Sequence, residues 1–234
     1  MHFHDCFVRG CDGSVLLNSP TGEAEKDAVP NLSLRGFQII DKAKIALEEV
    51  CPAVVSCADV LATVARDELE TGRRDGLVSN KDEALNNLLP HFANISTLIA
   101  GFVQKGLSVK DLVVLSCGHT IGTSYRAAFN NPLYTDPTLD SEHIEQLKLK
   151  CTPGDQNSIV EMDPGSFKTF DQSYYTLVVK RRGLFESEAA LLNNTTSHGS
   201  TFFQDFGESL VRMDRIGVLT GATGEIRKDC TRVN

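Results

Sequence analysis

The sequence predicts an all-α fold with long, structured loops, and two observations carry this prediction. Apolar residues recur at intervals of three and four, the spacing of one helix face, in many stretches of the chain. Clusters of Gly, Pro and Asn separate those stretches, at residues 29–31, 131–132 and 153–154. We therefore expect helices joined by loops, and at most one short pair of strands.

The first predicted helix extends from Arg35 to Val50, where Phe37, Ile40, Ala43 and Leu47 share one face. The same spacing predicts helices over residues 57–69, 95–105, 108–116, 120–129, 170–182 and 202–215. A chain of 234 residues can bury a substantial core, and we expect one domain over residues 1–234.

Composition excludes several classes of function. The net charge of −8 argues against nucleic acid as a partner, because phosphate binding needs concentrated Lys and Arg. No apolar stretch is long enough to span a membrane. Seven cysteines favour an oxidising compartment. The chain begins inside its first functional motif, so we expect no cleavable signal peptide in it.

Residues 1–14, MHFHDCFVRGCDGS, are the most informative segment. Asp5, Asp12 and Ser14, with the turn backbone between them, supply the oxygen ligands that calcium prefers. Cys6–Cys11 spans a glycine and is placed to close this loop, which would hold His4 rigid as a catalytic base. A zinc site or a plain disulfide is the alternative for such a short Cys/His cluster.

A second constellation lies further along the chain. Residues 111–122 form an apolar, helix-like run that ends beside His119, and such a histidine is either a core residue or a ligand to a large apolar group. Five oxygen-bearing residues follow it, and together they could bind a second hard cation: Thr120, Asp163, Ser166, Thr169 and Asp171. Ordinary turn chemistry is the alternative, since Asp, Ser and Thr all favour turns.

At this point the chain resembles the plant secretory (class III) haem peroxidases. The matching segments occur in the family's order and cover nearly the whole chain: HFHDCF (2–7), EKDA (25–28), LRGF (34–37), VSCAD (55–59), GRRDG (72–76), LSCGHTIG (115–122), FDQSYY (170–175) and GEIRKDC (224–230). The resemblance implies a helical fold with haem b between a distal half, about residues 1–107, and a proximal half, about 108–234. The helix that precedes the first motif in the family is missing here.

The resemblance also implies catalytic roles. His4 would be the general base and then the general acid toward hydrogen peroxide, and Asn31 would accept a hydrogen bond from its ring. Phe3 would pack against the haem, and Pro90 would contact small phenolic donors, which are oxidised in one-electron steps. His119 would be the axial ligand of the haem iron.

The partner of the axial histidine departs from the family pattern. The family has an aspartate here, whereas this chain has Glu188, which is longer by one methylene. A carboxylate partner makes an imidazole more electron-donating. We therefore expect an altered reduction potential and no loss of haem.

Two calcium ions are implied, with donors that transfer residue by residue. The first site would use Asp5, Val8, Gly10, Asp12, Ser14 and Glu25. The second would use Thr120, Asp163, Ser166, Thr169 and Asp171. The family's disulfides imply Cys6–Cys11 and Cys57–Cys230, and leave Cys51, Cys117 and Cys151 without their usual partners. A bond between Cys117 and Cys151 is a conceivable substitute.

Two departures bear on activity. The family's distal arginine would lie before Met1, and loss of one such preorganised donor costs roughly 10²–10³ in rate. Residues 65–74 are shorter than the family's segment, which holds a tryptophan that this chain lacks. We expect an impaired peroxidase. A catalytically silent relative that binds only haem or calcium is the main alternative, and a zinc hydrolase built on His2, His4 and the cysteines is the remote one.

The family is secreted to the cell wall, the extracellular space or the vacuole, and we expect the same setting here, with the protein as a monomer. Sequons at Asn94, Asn193 and Asn194 agree with secretion. Asn31 begins another sequon, but its implied hydrogen bond to His4 would bury it.

Overall fold

The computed structural model describes residues 1–65, 70–126, 139–151, 157–171, 173–189, 191 and 201–234. Their helices are α1 (His2–Cys6), α2 (Phe37–Val50), α3 (Cys57–Ala65), α4 (Lys81–Asn87), α5 (Ile95–Gln104), α6 (Val109–Ser116), α7 (Ser141–Lys150), α8 (Ser173–Val179), α9 (Glu186–Ala189) and α10 (Phe202–Asp214). The strands are β1 (Thr123–Tyr125) and β2 (Ile159–Glu161), which pair antiparallel. The all-α prediction is confirmed.

One predicted helix is wrong. Residues 120–129 were expected to be helical, but a 3₁₀ turn ends at Thr120 and β1 begins three residues later. Gly122, between them, has a φ of 114°, which a right-handed helix cannot contain. The strand then pairs with β2, so that Ser124 faces Val160. Residues 127–129 lie outside the described residues.

The sequence did not predict helices α1, α4, α7 and α9. Helices α1 and α9 are too short to show an apolar period, and the apolar faces of α4 and α7 are narrow. Helix α4 buries only Ala84, and it begins where the Asn80 side chain accepts hydrogen bonds from two backbone N–H groups. Helix α7 begins in the same way at Asp140, whose side chain accepts from the N–H of His143. Local capping therefore defines elements that apolar spacing does not reveal.

The described residues form two compact units. The first combines Met1–Leu88 with Leu210–Asn234, and the second is the continuous segment Leu89–Ser209. Residues 210–234 thus pack with the N-terminal segment. The predicted distal half, about 1–107, and proximal half, about 108–234, stay predictions. The expectation of one domain over 1–234 stays a prediction.

The core of the first unit lies where α2 and α3 meet the loop after α1. Its buried members are Val15, Leu16, Ile40, Cys57, Val60, Leu61 and Cys230. The Cys57–Cys230 disulfide joins positions 173 residues apart. A backbone bridge between Asp75 and Glu225 ties the C-terminal segment in at a second point.

Asp75 and Arg227 lie fully buried at the centre of this arrangement. The Asp75 carboxylate accepts from the backbone N–H groups of Cys57 and Ala58, at 3.1 and 2.8 Å. It therefore caps the start of α3. The Arg227 guanidinium donates to the carbonyl oxygen of Gly13 at 2.6 Å, in the loop that follows α1.

Two separate apolar clusters lie among the described residues of the second unit. One consists of Cys117, Tyr174, Val178 and Phe202. The other consists of Leu147, Cys151, Val160, Met162 and Leu184. Among the described residues, no helix combines the length and the apolar character that crossing a membrane requires.

Candidate active-site residues and cation sites

Helix α1 carries the first predicted active-site residues and is too short to be stable alone. It has five residues and no side-chain cap, and isolated helices shorter than about 12 residues are marginal in water. The Asp5 carboxylate anchors it by accepting from the N–H groups of Gly13 and Val15, at 2.9 and 3.2 Å. The Cys6–Cys11 disulfide, formed as the resemblance implies, adds a covalent link. Together they hold His4 in place.

The imidazole of His4 is oriented by Asn31. Its Nδ1 lies 2.6 Å from Asn31 Oδ1, while the Asn31 amide nitrogen donates to the carbonyl oxygen of Glu25 at 2.7 Å. Because that nitrogen is engaged elsewhere, the amide oxygen faces the ring, and His4 Nδ1 carries the proton. The lone pair is then on Nε2, which is the nitrogen able to accept a proton from a substrate.

Phe3 gives the surroundings of His4 an apolar wall. Its ring stacks on Phe7 at 4.1 Å between centroids and meets the His4 ring edge-on at 5.8 Å. Phe7 is fully buried, so it fixes the half-buried Phe3 beside the histidine.

Four oxygen-bearing side chains are buried near α1, namely Asp5, Asp12, Ser14 and Glu25. Both carboxylate oxygens of Glu25 and the hydroxyl of Ser14 lack a hydrogen-bond partner. Burial, reinforced by neighbouring carboxylate charge, raises the pKa of Asp5 to about 8 and that of Glu25 to about 9. Buried, uncompensated carboxylates are unfavourable, and a calcium ion would compensate them.

The other two predicted donors of this site, Val8 and Gly10, lie buried in the loop that the disulfide closes. The carbonyl oxygen of Gly10 accepts from the N–H of Asp12 at 2.8 Å, so the loop folds back on itself. Gly10 has a φ of 120° and lies directly against the backbone of Gly217, which leaves no room for a side chain. Both carbonyl residues therefore lie between Asp5 and Asp12 along the chain, in the loop that follows α1.

The zinc alternative fails at this loop. Ligand atoms of His2, Cys6 and Cys11 lie within 4.8 Å of one another, but the two sulfurs are bonded to each other. Zinc binds thiolates, and a disulfide has none. The remaining histidine, His4, is hydrogen-bonded to Asn31.

His119 lies in the second unit, at the end of the turn that follows α6. Its Nδ1 donates to Glu188 Oε1 at 2.9 Å, and the Glu188 side chain is buried. The His119 side chain is 45% exposed. A neutral imidazole whose Nδ1 proton is held by a carboxylate has its lone pair on Nε2, the arrangement typical of a metal-binding histidine.

Aromatic residues surround this pair. Phe185 and Tyr174 both meet the His119 ring edge-on, at 5.4 and 6.1 Å between centroids. Burial, with a further contribution from the Glu188 charge, raises the pKa of Tyr174 well above its usual value. The phenol therefore stays neutral and adds no charge beside the histidine.

The second group of predicted cation ligands also comes together. The Thr120 hydroxyl donates to Asp163 Oδ2 at 3.2 Å and lies 3.4 Å from Asp171 Oδ1. Ser166 donates from its hydroxyl to Asp171 Oδ2 at 2.6 Å, and the Ser166 carbonyl accepts from the N–H of Thr169. Burial raises the pKa of Asp163, whereas the hydrogen bond from Ser166 lowers that of Asp171. The segment Asp163–Asp171 thus brings its oxygen atoms to Thr120, the residue that follows His119.

Pro90 is half-buried, and its carbonyl oxygen accepts from the N–H of Ala93 at 2.9 Å. This turn leads into α5, whose N-terminus is capped by the Asn94 side chain. The contact of Pro90 with small phenolic donors stays a prediction.

A buried ionic network beside α1 was missed by sequence reasoning. His2 Nε2 donates to Asp214 Oδ1 at 2.8 Å, and the other oxygen of Asp214 accepts from the Arg73 guanidinium. Arg73 also pairs with Asp59 at 3.2 Å, and all four side chains are buried. The four residues lie far apart in sequence, so no local pattern predicts that they interact. The one hint was the exclusion of His2 from a zinc site, because it leaves this histidine without an assigned partner.

The three remaining cysteines, Cys51, Cys117 and Cys151, are thiols that form no disulfide. The conceivable Cys117–Cys151 bond is absent, because the two residues pack into the two different apolar clusters of the second unit. Cys117 donates from Sγ to the carbonyl oxygen of Val113 at 3.3 Å. Burial raises the pKa of its thiol to about 12.

Comparison with known proteins identifies the class of enzyme. The family model described as "Peroxidase" matches residues 1–205. The whole chain is 57% identical to Peroxidase 27 and 56% identical to Peroxidase 56 of Arabidopsis thaliana, and covers 81% and 79% of their lengths. It is 49% identical to Peroxidase 1 of Oryza sativa subsp. japonica and covers 82% of that protein.

The chain therefore belongs to the peroxidase family, and to its plant secretory (class III) haem peroxidases. It is a haem peroxidase, an oxidoreductase that uses hydrogen peroxide and a reducing donor. The alignment to Peroxidase 27 extends over 261 positions, more than the 234 of this chain, so that relative contains stretches without a counterpart here.

Proposed function

We propose that His4 moves the proton of hydrogen peroxide in this enzyme and that His119 holds haem b through its iron. The observation that carries the first role is the hydrogen bond between His4 and Asn31, because it leaves the lone pair on His4 Nε2. The Glu25 carbonyl oxygen fixes the Asn31 amide in the required orientation. His4 would accept a proton at Nε2 from one oxygen of hydrogen peroxide and return it to the other, which leaves as water.

The residues around His119 fit a haem iron. The half-exposed imidazole has its Nδ1 hydrogen bond satisfied by a buried carboxylate, and Phe185 and Tyr174 hold the ring from its edges. A bound haem would supply the two electrons that reduce hydrogen peroxide, and the reducing donors would return them one at a time. Glu188 would tune that chemistry by holding the Nδ1 proton and making the imidazole more electron-donating.

Small phenols are the donor class that we propose, with Pro90 at their contact surface. Support comes from the resemblance at this position and from the half-buried setting of the proline. Phe3 would limit access to the neighbourhood of His4 to small molecules, since its ring is locked against Phe7.

Two calcium ions complete the proposed cofactor set, one in each compact unit. The first site is supported by the unsatisfied oxygens of Glu25 and Ser14. The second is supported by the convergence of Thr120, Asp163 and Asp171. Hard oxygen donors of this kind suit calcium and not zinc.

We further propose that the protein is a secreted monomer. The disulfides Cys6–Cys11 and Cys57–Cys230 agree with an oxidising compartment. Asn94 is exposed and begins a sequon, whereas Asn31 is buried and hydrogen-bonded on both sides of its amide. Secretion with a glycan at Asn94 and none at Asn31 is the expected pattern; Asn193 and Asn194 lie outside the described residues.

The decisive experiment is a visible spectrum of the protein with haem and calcium, before and after one equivalent of hydrogen peroxide. A ferric Soret band that moves within seconds is the expected result, and His4→Ala should slow this change by about 10²–10⁴. A Soret band that forms but does not respond would mean a silent haem-binding relative. No Soret band at all would overturn the role of His119.

A protein of these 234 residues alone would carry out the peroxide step slowly, because the family's arginine position lies before Met1. Roughly 10²–10³ in rate is the expected loss for one missing donor of this kind. Free guanidinium ion in the assay should restore part of the rate in the wild-type protein, and none in His4→Ala. A rate that guanidinium leaves unchanged would count against the missing cation as the cause.

A further inference from the structure

Glu188 uses both of its carboxylate oxygens. Oε1 accepts from His119 Nδ1 at 2.9 Å, and Oε2 accepts from the backbone N–H of Phe185 at 3.0 Å. The second bond is local: α9 begins at Glu186, so Glu188 is its third residue and Phe185 its capping residue. A glutamate at the third position that reaches back to the N–H of the capping residue is one half of a capping box.

The two bonds constrain one another. If the Glu188 carboxylate rotated while Oε1 stayed on His119, Oε2 would leave the N–H of Phe185 and the cap of α9 would be lost. The backbone of the same turn is fixed as well, because the N–H of Glu188 donates to the carbonyl oxygen of Phe185 at 3.1 Å and that of Ser187 donates to the carbonyl oxygen of His91 at 3.1 Å. The direction in which Oε1 points is therefore set by the turn.

Gly183 makes this folded-back conformation possible. A methyl group on its Cα would lie 2.9 Å from Glu188 Oε2 and 3.0 Å from Glu188 Cβ, closer than unbonded atoms approach. The φ of Gly183 is not in the left-handed region, so glycine is not required by the backbone. What requires glycine at this position is the space occupied by the glutamate side chain.

We propose that Gly183 is a positioning residue for His119: by leaving room for the longer glutamate, it lets Glu188 cap α9 with one oxygen and hold the histidine proton with the other. This role of Gly183 rests on the proposed function of His119 as the iron ligand.

The test measures the ferric–ferrous reduction potential and the iron–imidazole stretching band of the holoenzyme. We expect Gly183→Ala to raise the potential and lower the stretching frequency, because the added methyl displaces Glu188 and weakens its hold on the Nδ1 proton. Glu188→Gln keeps the length and removes the charge, so it should shift both readouts in the same direction. Glu188→Ala should also do so, because no carboxylate oxygen is left to accept from His119 Nδ1.

The double variant separates positioning from general damage. If Gly183 acts through the glutamate, Gly183→Ala combined with Glu188→Ala should be no worse than Glu188→Ala alone, since no carboxylate is left to hold the Nδ1 proton. Additive shifts would overturn the inference, as would a Gly183→Ala protein with wild-type potential and band. If Gly183→Ala does not fold, the inference stands or falls on Glu188→Ala: a wild-type potential and band there would overturn it.

The two levels of failure are distinguishable. An iron–imidazole band that is absent from the wild-type holoenzyme, or unchanged in His119→Gln, would refute His119 as the ligand and with it the proposed function. A normal wild-type band that does not respond to Gly183→Ala refutes only the role of the glycine.

Discussion

At the scale of single residues, the orientation of one amide decides the chemistry of His4. Asn31 is buried and uses its oxygen and its nitrogen for different partners, so its orientation follows from its contacts. The histidine tautomer follows in turn from the orientation of Asn31. The proposed catalytic residue, on a five-residue helix, thus depends on a side chain 27 positions away.

We expect Asn31→Ala to slow the reaction with hydrogen peroxide by about tenfold or more, as a fraction of the 10²–10⁴ that general acid–base catalysis supplies. Stopped-flow measurement of the Soret change gives the rate. In a His4→Ala background the same substitution should have no further effect, because Asn31 acts only through His4. An equal loss in both backgrounds would mean that Asn31 contributes to stability alone.

The free thiols should differ sharply in reactivity. Cys117 is buried, and its raised pKa of about 12 keeps it a neutral thiol at pH 8, whereas thiolates are the reactive form. Cys51 is half-buried and should be the first to react with a chromogenic disulfide reagent. We expect one fast equivalent in the native protein, absent from Cys51→Ser, and all three free thiols after unfolding without reductant. Fast labelling of Cys117 would contradict this assignment.

At the scale of elements, helix α1 is stabilised by contacts outside itself. Its His2 side chain ends in the buried network of Asp214, Arg73 and Asp59, within the first unit. Removing one member of a buried ionic network leaves the others desolvated and unpaired, which costs more than the network contributes when intact.

Asp214→Ala should therefore lower the free energy of unfolding by about 3–5 kcal/mol. Urea unfolding of the holoenzyme, followed by circular dichroism, gives this value. Glu70→Ala is a matched control, because Glu70 forms an exposed ion pair with the neighbouring Arg215, and it should leave the midpoint within error. Equal effects of the two substitutions would show that burial of the network does not matter.

At this scale, the sequence predicted the features whose residues lie close together along the chain. The loop of residues 1–14 and the segment from Asp163 to Asp171 could be predicted as cation-binding loops, because their donors are neighbours in sequence. Helices such as α2 and α5 followed from apolar spacing, but β1 did not, because its pairing with β2 overrides a helix-like pattern. The pairs His2–Asp214 and Gly183–Glu188 depend on how the backbone folds, and no spacing encodes them.

At the scale of the whole molecule, each compact unit contains one proposed cation site. The two can be removed separately, by Glu25→Gln in the first unit and by Asp163→Asn in the second. We expect two bound calcium ions in the wild type and one in each variant, by metal analysis after gel filtration. Two ions in both variants would place the sites elsewhere.

Calcium should also contribute to stability. An ion at 100 times its dissociation constant stabilises the folded state by about 2.7 kcal/mol, so a chelator should lower the unfolding temperature of the wild type. In chelator, Glu25→Gln should be at least as stable as the wild type, because a neutral amide is less costly to bury without a cation. In excess calcium this order should reverse. A Glu25→Gln protein that is less stable under both conditions would contradict a calcium role for the carboxylate.

The division of the first unit into two distant segments has a consequence for biosynthesis. Residues 1–88 carry His4 and the first cation loop, yet Arg227 and Cys230 are part of their buried centre. Chains emerge from the ribosome N-terminus first, at about 5–20 residues per second. The continuous segment 89–209 can therefore fold as it is synthesised. The N-terminal segment is synthesised earlier, but its buried centre is complete only after residue 230 has been added, so the first unit completes its folding last.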